Sequence, residues 1–331
     1  MKLSLLPLLC CPFSRGPLVL DTVERTTPKG EIESGTLRAP DGRAYAIVRG
    51  VPHVYGDYRS DDEKTTVQAF GEEWARYDDF DGYMGSAELF AEFSGLAPEQ
   101  LAGRRILEVG CGGGRWLRVM AAWGASEVVG LDFSSSVEQA ARLTTEYPNV
   151  HVVRGSAIEM PLAPMFDVVV SIGVIHHLDD PVLGLLGIRR AVRERHLVAI
   201  WVYAKEGNET YLRLVRPLRR IGPKLPRPVL VGVSRGLAAG LWTYIHSVNR
   251  IARATGLPLP LRDYLAMLQR LRFRDVESVV YDQLTPSLAR YPSKGEVEEW
   301  VTRAGGRPER LYHRTSNSWQ CHFTFPPATA N

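Results

Sequence analysis

Apolar runs separated by amphipathic segments mark the middle of the chain. Short apolar runs occur at residues 105–109, 127–132, 150–155, 166–172 and 196–203. Each run is long enough for a strand buried on both faces. Residues 116–123, between the first two runs, have the apolar spacing of a helix. Strands that alternate with helices predict an α/β fold with a mainly parallel sheet.

The two flanking regions have different patterns. Before these runs, segments at residues 16–20 and 35–52 predict strands joined by turns, and residues 65–94 carry aromatic residues at helical spacing. After them, the pattern predicts helices at residues 211–220, 229–255, 261–271 and 293–304, then an antiparallel strand pair at residues 310–314 and 319–325. The last helix begins with Ser293 and has Glu296 three residues later, the pattern of a capping box.

Composition narrows the class of protein. The chain has 331 residues, of which 45% are hydrophobic, and a formal net charge of +3. This apolar share is ample for a core and excludes global disorder, and no apolar run approaches the roughly 20 residues of a membrane-spanning helix. The four cysteines, Cys10, Cys11, Cys111 and Cys321, are too few for a disulfide scaffold.

Charge is distributed unevenly along the chain. Residues 57–99 contain 12 acidic and 3 basic residues, whereas residues 205–274 contain 14 basic and 3 acidic residues. The basic segment has two explanations. In the structural one, its bases are solvated or pair with the acidic segment. In the functional one, they bind an anionic substrate or an anionic surface. No recognisable RNA-binding motif accompanies its arginines.

The turn after the first predicted strand carries the clearest motif. Residues 108–114 read Glu-Val-Gly-Cys-Gly-Gly-Gly, and glycines in such a turn let backbone N–H groups approach a ligand closely. Arg115 stands where a dinucleotide-binding fingerprint has a small residue. The segment instead resembles motif I of the class I S-adenosylmethionine-dependent methyltransferases.

Further motifs of that family follow in the same order. Asp132 ends the second strand, 22 residues after Gly110, which suits a carboxylate that accepts hydrogen bonds from a ribose diol. A His-His-Leu sequence follows the fourth strand, although Ser156 replaces the family's usual aspartate and the Pro-Gly-Gly turn before the fifth strand is missing. The resemblance implies S-adenosylmethionine as cofactor and the following cofactor-binding residues: Glu108, Gly110, Cys111, Gly112, Gly114, Asp132, Phe133, Ser156, Ala157 and Ile172.

The amino-terminal segment resembles the small zinc-knuckle module that activates methyltransferases or is fused to bacterial ones. Residues 45–52 match the end of that module, but Ser14 and Ala39 stand where two cysteine ligands belong. Zinc needs about four ligands in a closed tetrahedron, so we expect no metal and a remnant that packs on the main domain. A secretory signal over the first ten residues is the alternative.

The expected architecture is a Rossmann-like, seven-stranded methyltransferase sheet with helices on both faces. We expect a degenerate zinc-knuckle-like module at residues 1–55 and a class I methyltransferase domain at residues 56–331. Within that domain, residues 56–100 are expected to form a helical cap and residues 205–300 a helical lid over the substrate, because such insertions lie above the carboxyl ends of the strands.

Catalysis is expected to rest on positioning a substrate N, O or C atom for in-line attack on the cofactor's methyl group. His177 is the first candidate for a general base, with Asp282 and Tyr264 as further candidates from the lid. Each of two candidates also has a purely structural alternative. His177 supports its own loop, or Asp282 caps the loop before Ser293. The substrate-binding candidates are His176, Tyr203, Arg213 and Tyr281.

The sequence favours a small-molecule methyltransferase, and the basic lid points to an anionic biosynthetic intermediate. We expect a cytoplasmic protein without a membrane span and without a nucleic acid partner; a homodimer is one assembly that the sequence allows. A tRNA- or rRNA-modifying methyltransferase is the alternative, on the basis of the knuckle-like module and the basic segment. A cofactor-binding scaffold without turnover and a non-methylating use of the same fold are further alternatives.

Overall fold

Two β-sheets organise the chain, a small one at the amino terminus and a large one after it. The computed structural model describes residues 1–79, 82–256 and 262–327. The small sheet has four antiparallel strands in sequence order and follows a 3-10 helix at Leu3–Leu8. Its strands are β1 (Val19–Thr26), β2 (Ile32–Arg38), β3 (Ala44–Val48) and β4 (Val51–Pro52).

Alternation and turn chemistry explain the end of this small sheet. In β3, buried Tyr45 and Ile47 alternate with exposed neighbours, so the strand presents one face to the rest of the protein. Arg49 and Gly50, between β3 and β4, have φ angles of 50° and 80°. Two successive left-handed residues are what a two-residue hairpin turn requires.

The large sheet is built from strands that alternate with helices, as the apolar pattern predicts. The first part of this region contains α1 (Asp61–Arg76), α2 (Ala87–Ser94), α3 (Pro98–Leu101), β5 (Arg105–Val109), α4 (Arg115–Ala122), β6 (Glu127–Asp132), α5 (Val137–Leu143), β7 (Val150–Arg154), β8 (Phe166–Ile172), α6 (Pro181–Arg189) and β9 (Val192–Tyr203).

The region after β9 is helical until the last strand pair. It contains α7 (Glu209–Ile221), α8 (Arg227–Tyr244), a π-helical turn at Ile245–Asn249, α9 (Arg250–Thr255), α10 (Arg262–Leu268), α11 (Phe273–Leu284), α12 (Lys294–Arg303), β10 (Arg307–Arg314) and β11 (Ser318–Thr324). The capping box of α12 forms as predicted, since Ser293 and Glu296 bond to each other's backbone N–H groups. Residue 261, where the sequence pattern starts α10, lies outside the described residues.

The strand order of the large sheet is β10-β11-β9-β8-β5-β6-β7. Strands β5 to β9 pair in parallel, while β11 runs antiparallel to both β9 and β10. Alternate strand residues face two cores, one shared with α6 and α12 and the other with α2, α4 and α5. This topology confirms the predicted seven-stranded, Rossmann-like sheet with helices on both faces and a small β-rich segment before it.

The amino-terminal segment packs where a crossover helix would lie. Residues 155–165, which connect the parallel strands β7 and β8, contain no helix. Instead the Cys10 N–H donates to the Pro161 carbonyl at 2.9 Å, and the Ala163 N–H donates to the Leu8 carbonyl at 2.9 Å. Leu5, Leu8 and Leu9 are buried in the core that contains α6, so this segment covers part of the large sheet.

Two local features differ from the sequence pattern. Residues 193–196 lie in β9 rather than in a turn before it, and Arg195 has a φ of 62°, which marks an irregularity at the start of the strand. Tyr281 and Asp282 belong to the last turn of α11, a helix that the pattern did not predict. Within the described residues, Asp282 accepts hydrogen bonds from Tyr203 and Gln283 and none from the loop before Ser293.

The two oppositely charged segments pair with each other. Salt bridges join the acidic and basic segments at Glu72–Arg227 (2.6 Å), Glu88–Arg270 (2.5 Å), Asp79–Arg272 (2.7 Å) and Asp78–Arg274 (3.1 Å). Pairing with the acidic segment therefore accounts for these four arginines. No helix within the described ranges is long and apolar enough to cross a membrane.

Candidate active site

The glycine turn connects β5 to α4 and lies against the carboxyl end of β6. Gly110, Gly112 and Gly114 all have positive φ angles, of 76°, 52° and 86°. A Cβ on Gly114 would lie 2.9 Å from the Ala140 Cα, so the turn requires glycine there to let α4 and α5 approach each other. The Gly112 N–H donates to the Asp132 carboxylate at 2.9 Å, which ties the turn to the end of β6.

A cavity of about 250 Å³ opens beside this turn. Its floor is formed at the carboxyl ends of β5, β6, β8 and β9, the position at which open parallel sheets bind ligands. Its roof is formed by α1 and, from the predicted lid, by α10 and α11. No described residue of α7, α8 or α9 lines it, so only the second half of the lid covers the cavity.

Most of the predicted site residues converge on this cavity. Those that line it are Gly110, Asp132, Phe133, Ser156, Ala157, Ile172, His177, Tyr203, Tyr264 and Asp282. The other predicted cofactor residues lie one layer behind it: Glu108, Cys111, Gly112 and Gly114. Burial raises the pKa of the Glu108 carboxyl well above its usual range, and one of its oxygens has no hydrogen-bond partner among the described residues.

His177 presents one ring nitrogen to the cavity in a fixed orientation. Its Nδ1 lies 2.6 Å from the Leu288 carbonyl oxygen, and a carbonyl can only accept, so Nδ1 carries the proton. Burial lowers the pKa of His177, which keeps the ring neutral at pH 7. In this tautomer Nε2 has a free lone pair, as a proton acceptor requires.

Tyr203 and Asp282 form a polar pair across the cavity wall. The Tyr203 hydroxyl donates to an Asp282 carboxylate oxygen at 2.8 Å, and the Gln283 side-chain amide donates to both groups, at 2.6 and 2.9 Å. The Tyr203 ring also stacks on Tyr291 at 5.0 Å between ring centres. The pair links β9 to α11, while Tyr264 reaches the cavity independently from α10.

Three predicted substrate residues lie outside the cavity. His176 is completely buried against Tyr203, at 4.5 Å between ring centres. Tyr281 packs on Tyr77 within a separate cluster, because neighbouring positions on a helix point about 100° apart and Asp282 takes the cavity side. Arg213 is exposed on α7.

The cavity is also lined by side chains that the sequence pattern did not indicate as site residues, and three of them are polar or aromatic groups with distinctive surroundings. Glu73 lies on α1, buried, with one carboxylate oxygen unpartnered among the described residues, and burial raises its pKa well above the usual range. Arg115 lies over the Trp116 ring at 4.3 Å, and burial lowers its pKa to about 10. Trp201 lines the floor from β9. Only Arg115 had a sequence signal, as the large residue after the glycine turn.

Comparison with protein-family models identifies two parts of the chain. Residues 107–200 match the family described as a methyltransferase domain, and residues 2–50 match the Trm112p-like protein family. These matches confirm both resemblances that the sequence motifs indicated.

Relatives among curated proteins share part of this region. A tRNA U34 carboxymethyltransferase of Shewanella sp. (strain ANA-3) is 34% identical over 113 residues, which is 33% of this chain and 34% of the relative. The protein of the same name from Shewanella oneidensis has the same identity and coverage. The chain thus matches about a third of the length of these relatives.

Solved structures also resemble this chain. The complex between the Haloferax volcanii Trm112 methyltransferase activator and a methyltransferase includes a chain with a TM-score of 0.48 and 14% identity, covering 78% of this chain and 97% of that one. An S-adenosylmethionine-dependent methyltransferase from Aquifex aeolicus has a TM-score of 0.43 and 15% identity, covering 76% and 97%.

The curated relatives correct two expectations from the sequence. A small-molecule substrate was expected and a nucleic acid partner was not, yet the relatives are named for tRNA. The name agrees with the alternative, a tRNA-modifying enzyme. The arginines of the lid carry no RNA-binding motif, but the absence of a motif does not exclude a nucleic acid substrate.

Proposed function

We propose that this chain, which carries a methyltransferase domain at residues 107–200 and a Trm112p-like segment at residues 2–50, is an S-adenosylmethionine-dependent methyltransferase that modifies tRNA. The name of its curated relatives is the observation that carries the choice of tRNA. In this proposal residues 1–55 and 56–331 are the two structural units, residues 56–100 the cap and residues 205–300 the lid. The tRNA substrate implies a cytoplasmic location.

The side chains around the cavity fit S-adenosylmethionine, a cationic cofactor. Glu73, Asp132 and Asp282 line the cavity, and Glu73 has an unpartnered oxygen within the described part of the chain. A cation bound beside such a buried carboxyl group would favour its charged form. Asp132, Phe133 and Ser156 would hold the adenosine end, while Gly110 is required at the turn because Val174 packs against it.

The cofactor, when bound, supplies a methyl group on a sulfonium, which is already a good leaving group. The chain's own contribution is then orientation and proton transfer. His177 Nε2 accepts the proton of the attacking tRNA group, and the Nδ1 bond to Leu288 holds the ring in position. The Tyr203–Asp282 pair anchors α11 over the cavity and limits the entry of water.

The helices over the cavity restrict how a nucleoside of tRNA can reach it. The roof of α1, α10 and α11 lies over the carboxyl ends of the strands, which favours a nucleotide that is not stacked in a helix. Enzymes that act on a base inside such a pocket use an unpaired or extruded nucleotide. We therefore infer that the target nucleotide lies in a loop of the tRNA.

The test uses the full-length protein, total tRNA from a strain that lacks the gene, and S-adenosylmethionine labelled in the methyl group. We expect label in tRNA, and mass spectrometry of the digested tRNA then identifies the nucleoside. The Asp132→Asn variant serves as the catalytically impaired control. If calorimetry shows cofactor binding but no label enters any tRNA, the tRNA proposal is wrong while the cofactor assignment stands.

A further inference from the structure

The outer side of the α8–α9 helical run exposes a continuous apolar stripe. Its members are between 36% and 60% exposed: Val229, Val233, Leu237, Tyr244, Val248 and Ile251. From the first to the last, the stripe extends about 33 Å at the rise of a helix. Soluble monomers rarely leave so long an apolar row in water, so the stripe marks a binding surface.

The helix does not need this stripe for its own packing. Leu230, Ala238 and Ile245 of the same run are completely buried. They belong to clusters that contain Val276 and Leu284 of α11. These buried residues hold α8 against α11, and the apolar stripe runs along the exposed edge of this packed side.

Polar groups beside the stripe are satisfied within the helix. The exposed Thr243 hydroxyl donates to the Ala239 carbonyl at 2.9 Å, and the exposed Ser247 hydroxyl donates to the Thr243 carbonyl. The Thr255 hydroxyl bonds in the same way to Ile251 at 2.9 Å. Hydroxyls that bond back to their own helix need no water, which suits a surface that leaves water.

Few charges lie along the span of the stripe, and the charges beside it are basic. Residues 228–249 contain a single charged residue, Arg235, and residues 210–262 contain no acidic residue. Arg235 pairs with the buried Glu277 of α11 at 3.2 Å, although its own side chain is 66% exposed. Exposed bases precede the run in the sequence at Arg213, Arg216 and Lys224, and exposed Arg250 begins α9 beside the last members of the stripe. Within the described ranges none of these four forms a salt bridge.

We propose that α8 and α9 dock the protein onto an anionic lipid bilayer surface, with the helical run lying in the plane of the headgroups. The uncharged stripe matches the acyl boundary, and the flanking cations match lipid phosphates. Two other occupants fit less well. A second copy of the chain would place like-charged arginines against each other, and a nucleic acid backbone would make no use of the apolar stripe. The proposal does not depend on the identity of the methylated substrate.

Flotation of the full-length protein with vesicles tests this proposal. We expect binding to phosphatidylglycerol vesicles that is at least about tenfold tighter than binding to phosphatidylcholine vesicles. The double variant Val233→Ser and Leu237→Ser should bind about tenfold more weakly, because it removes two exposed apolar contacts. Arg213→Gln with Arg216→Gln should reduce the preference for the anionic lipid.

The matched control changes exposed valines elsewhere, Val19→Ser and Val23→Ser on β1, which are 57% and 48% exposed. It should bind vesicles like the wild type, and all variants should keep the wild-type unfolding temperature. Absence of binding to anionic vesicles, or equal binding by the stripe variant, overturns the proposal. It is also overturned if light scattering shows a dimer that the stripe variant dissociates, which would assign the stripe to a second copy.

Discussion

At the scale of single residues, Asp132 connects the glycine turn to the cavity. One carboxylate oxygen accepts the Gly112 N–H, and the other accepts the N–H and hydroxyl of Ser134 at 2.8 and 2.7 Å. Asp132→Asn replaces one acceptor with a donor that faces these donors. We predict S-adenosylmethionine binding weaker by about 10- to 100-fold, measured by isothermal titration calorimetry.

A carboxylate at the other end of the strands provides the control for this change. Asp167 accepts the Arg105 N–H at 2.9 Å and pairs with Arg193 at 2.8 Å, away from the cavity. Asp167→Asn should leave the dissociation constant of the cofactor unchanged. An unchanged dissociation constant in Asp132→Asn as well would contradict the role given to Asp132.

His177 is the residue on which proton transfer is predicted to depend. His177→Ala should lower the single-turnover rate by about 100-fold without changing cofactor affinity. Burial holds its pKa below the ordinary 6.5, so Nε2 stays unprotonated above that pH. The wild-type rate should therefore be flat above pH 6.5 and fall only as the pH decreases through the lowered pKa.

The control for the His177→Ala prediction is a histidine near the amino end of β9. His196→Ala changes a half-buried side chain at the opposite end of the strand from the cavity, and its single-turnover rate should equal that of the wild type. A wild-type rate in His177→Ala would remove His177 as a base and restore the structural explanation.

At the scale of elements, the Tyr203 hydroxyl connects the central sheet to the lid. Tyr203→Phe removes the donor to Asp282 and the acceptor for Gln283, so that only the Gln283–Asp282 hydrogen bond of this group remains. We predict a loss of about 1–3 kcal/mol in the free energy of unfolding, measured by urea denaturation. Tyr312→Phe on β10, 49% exposed, is the control, and equal losses in both would refute this link.

Sequence periodicity predicted elements well where one core decides their burial. The strand at residues 127–132 forms with the predicted bounds as β6, because its four central residues are buried within a parallel sheet. The helix α11 was missed because it faces two clusters and the cavity. Its apolar residues therefore do not form a single stripe, and periodicity alone does not identify it.

At the scale of the whole molecule, the amino-terminal segment is part of the main core. Leu8 is 2% exposed and packs in the cluster that contains Leu131 and Val153, whereas Leu3 in the same 3-10 helix is 61% exposed. Leu8→Ala should reduce the free energy of unfolding by about 2–5 kcal/mol, and Leu3→Ala should leave it nearly unchanged. Thermal or urea denaturation measures both. Similar small losses would show that the segment is a separate, weakly attached unit.

The sequence by itself determined the parallel sheet, the glycine turn and Asp132, because each depends on contacts within one strand–turn–helix unit. Tertiary structure decided which distant residues complete the cavity. Glu73, Tyr264 and Asp282 come from three helices whose approach depends on packing and on salt bridges between the acidic and basic segments. It also decided that α8 leaves its apolar stripe outside, since only the position of α11 defines which side of α8 is buried.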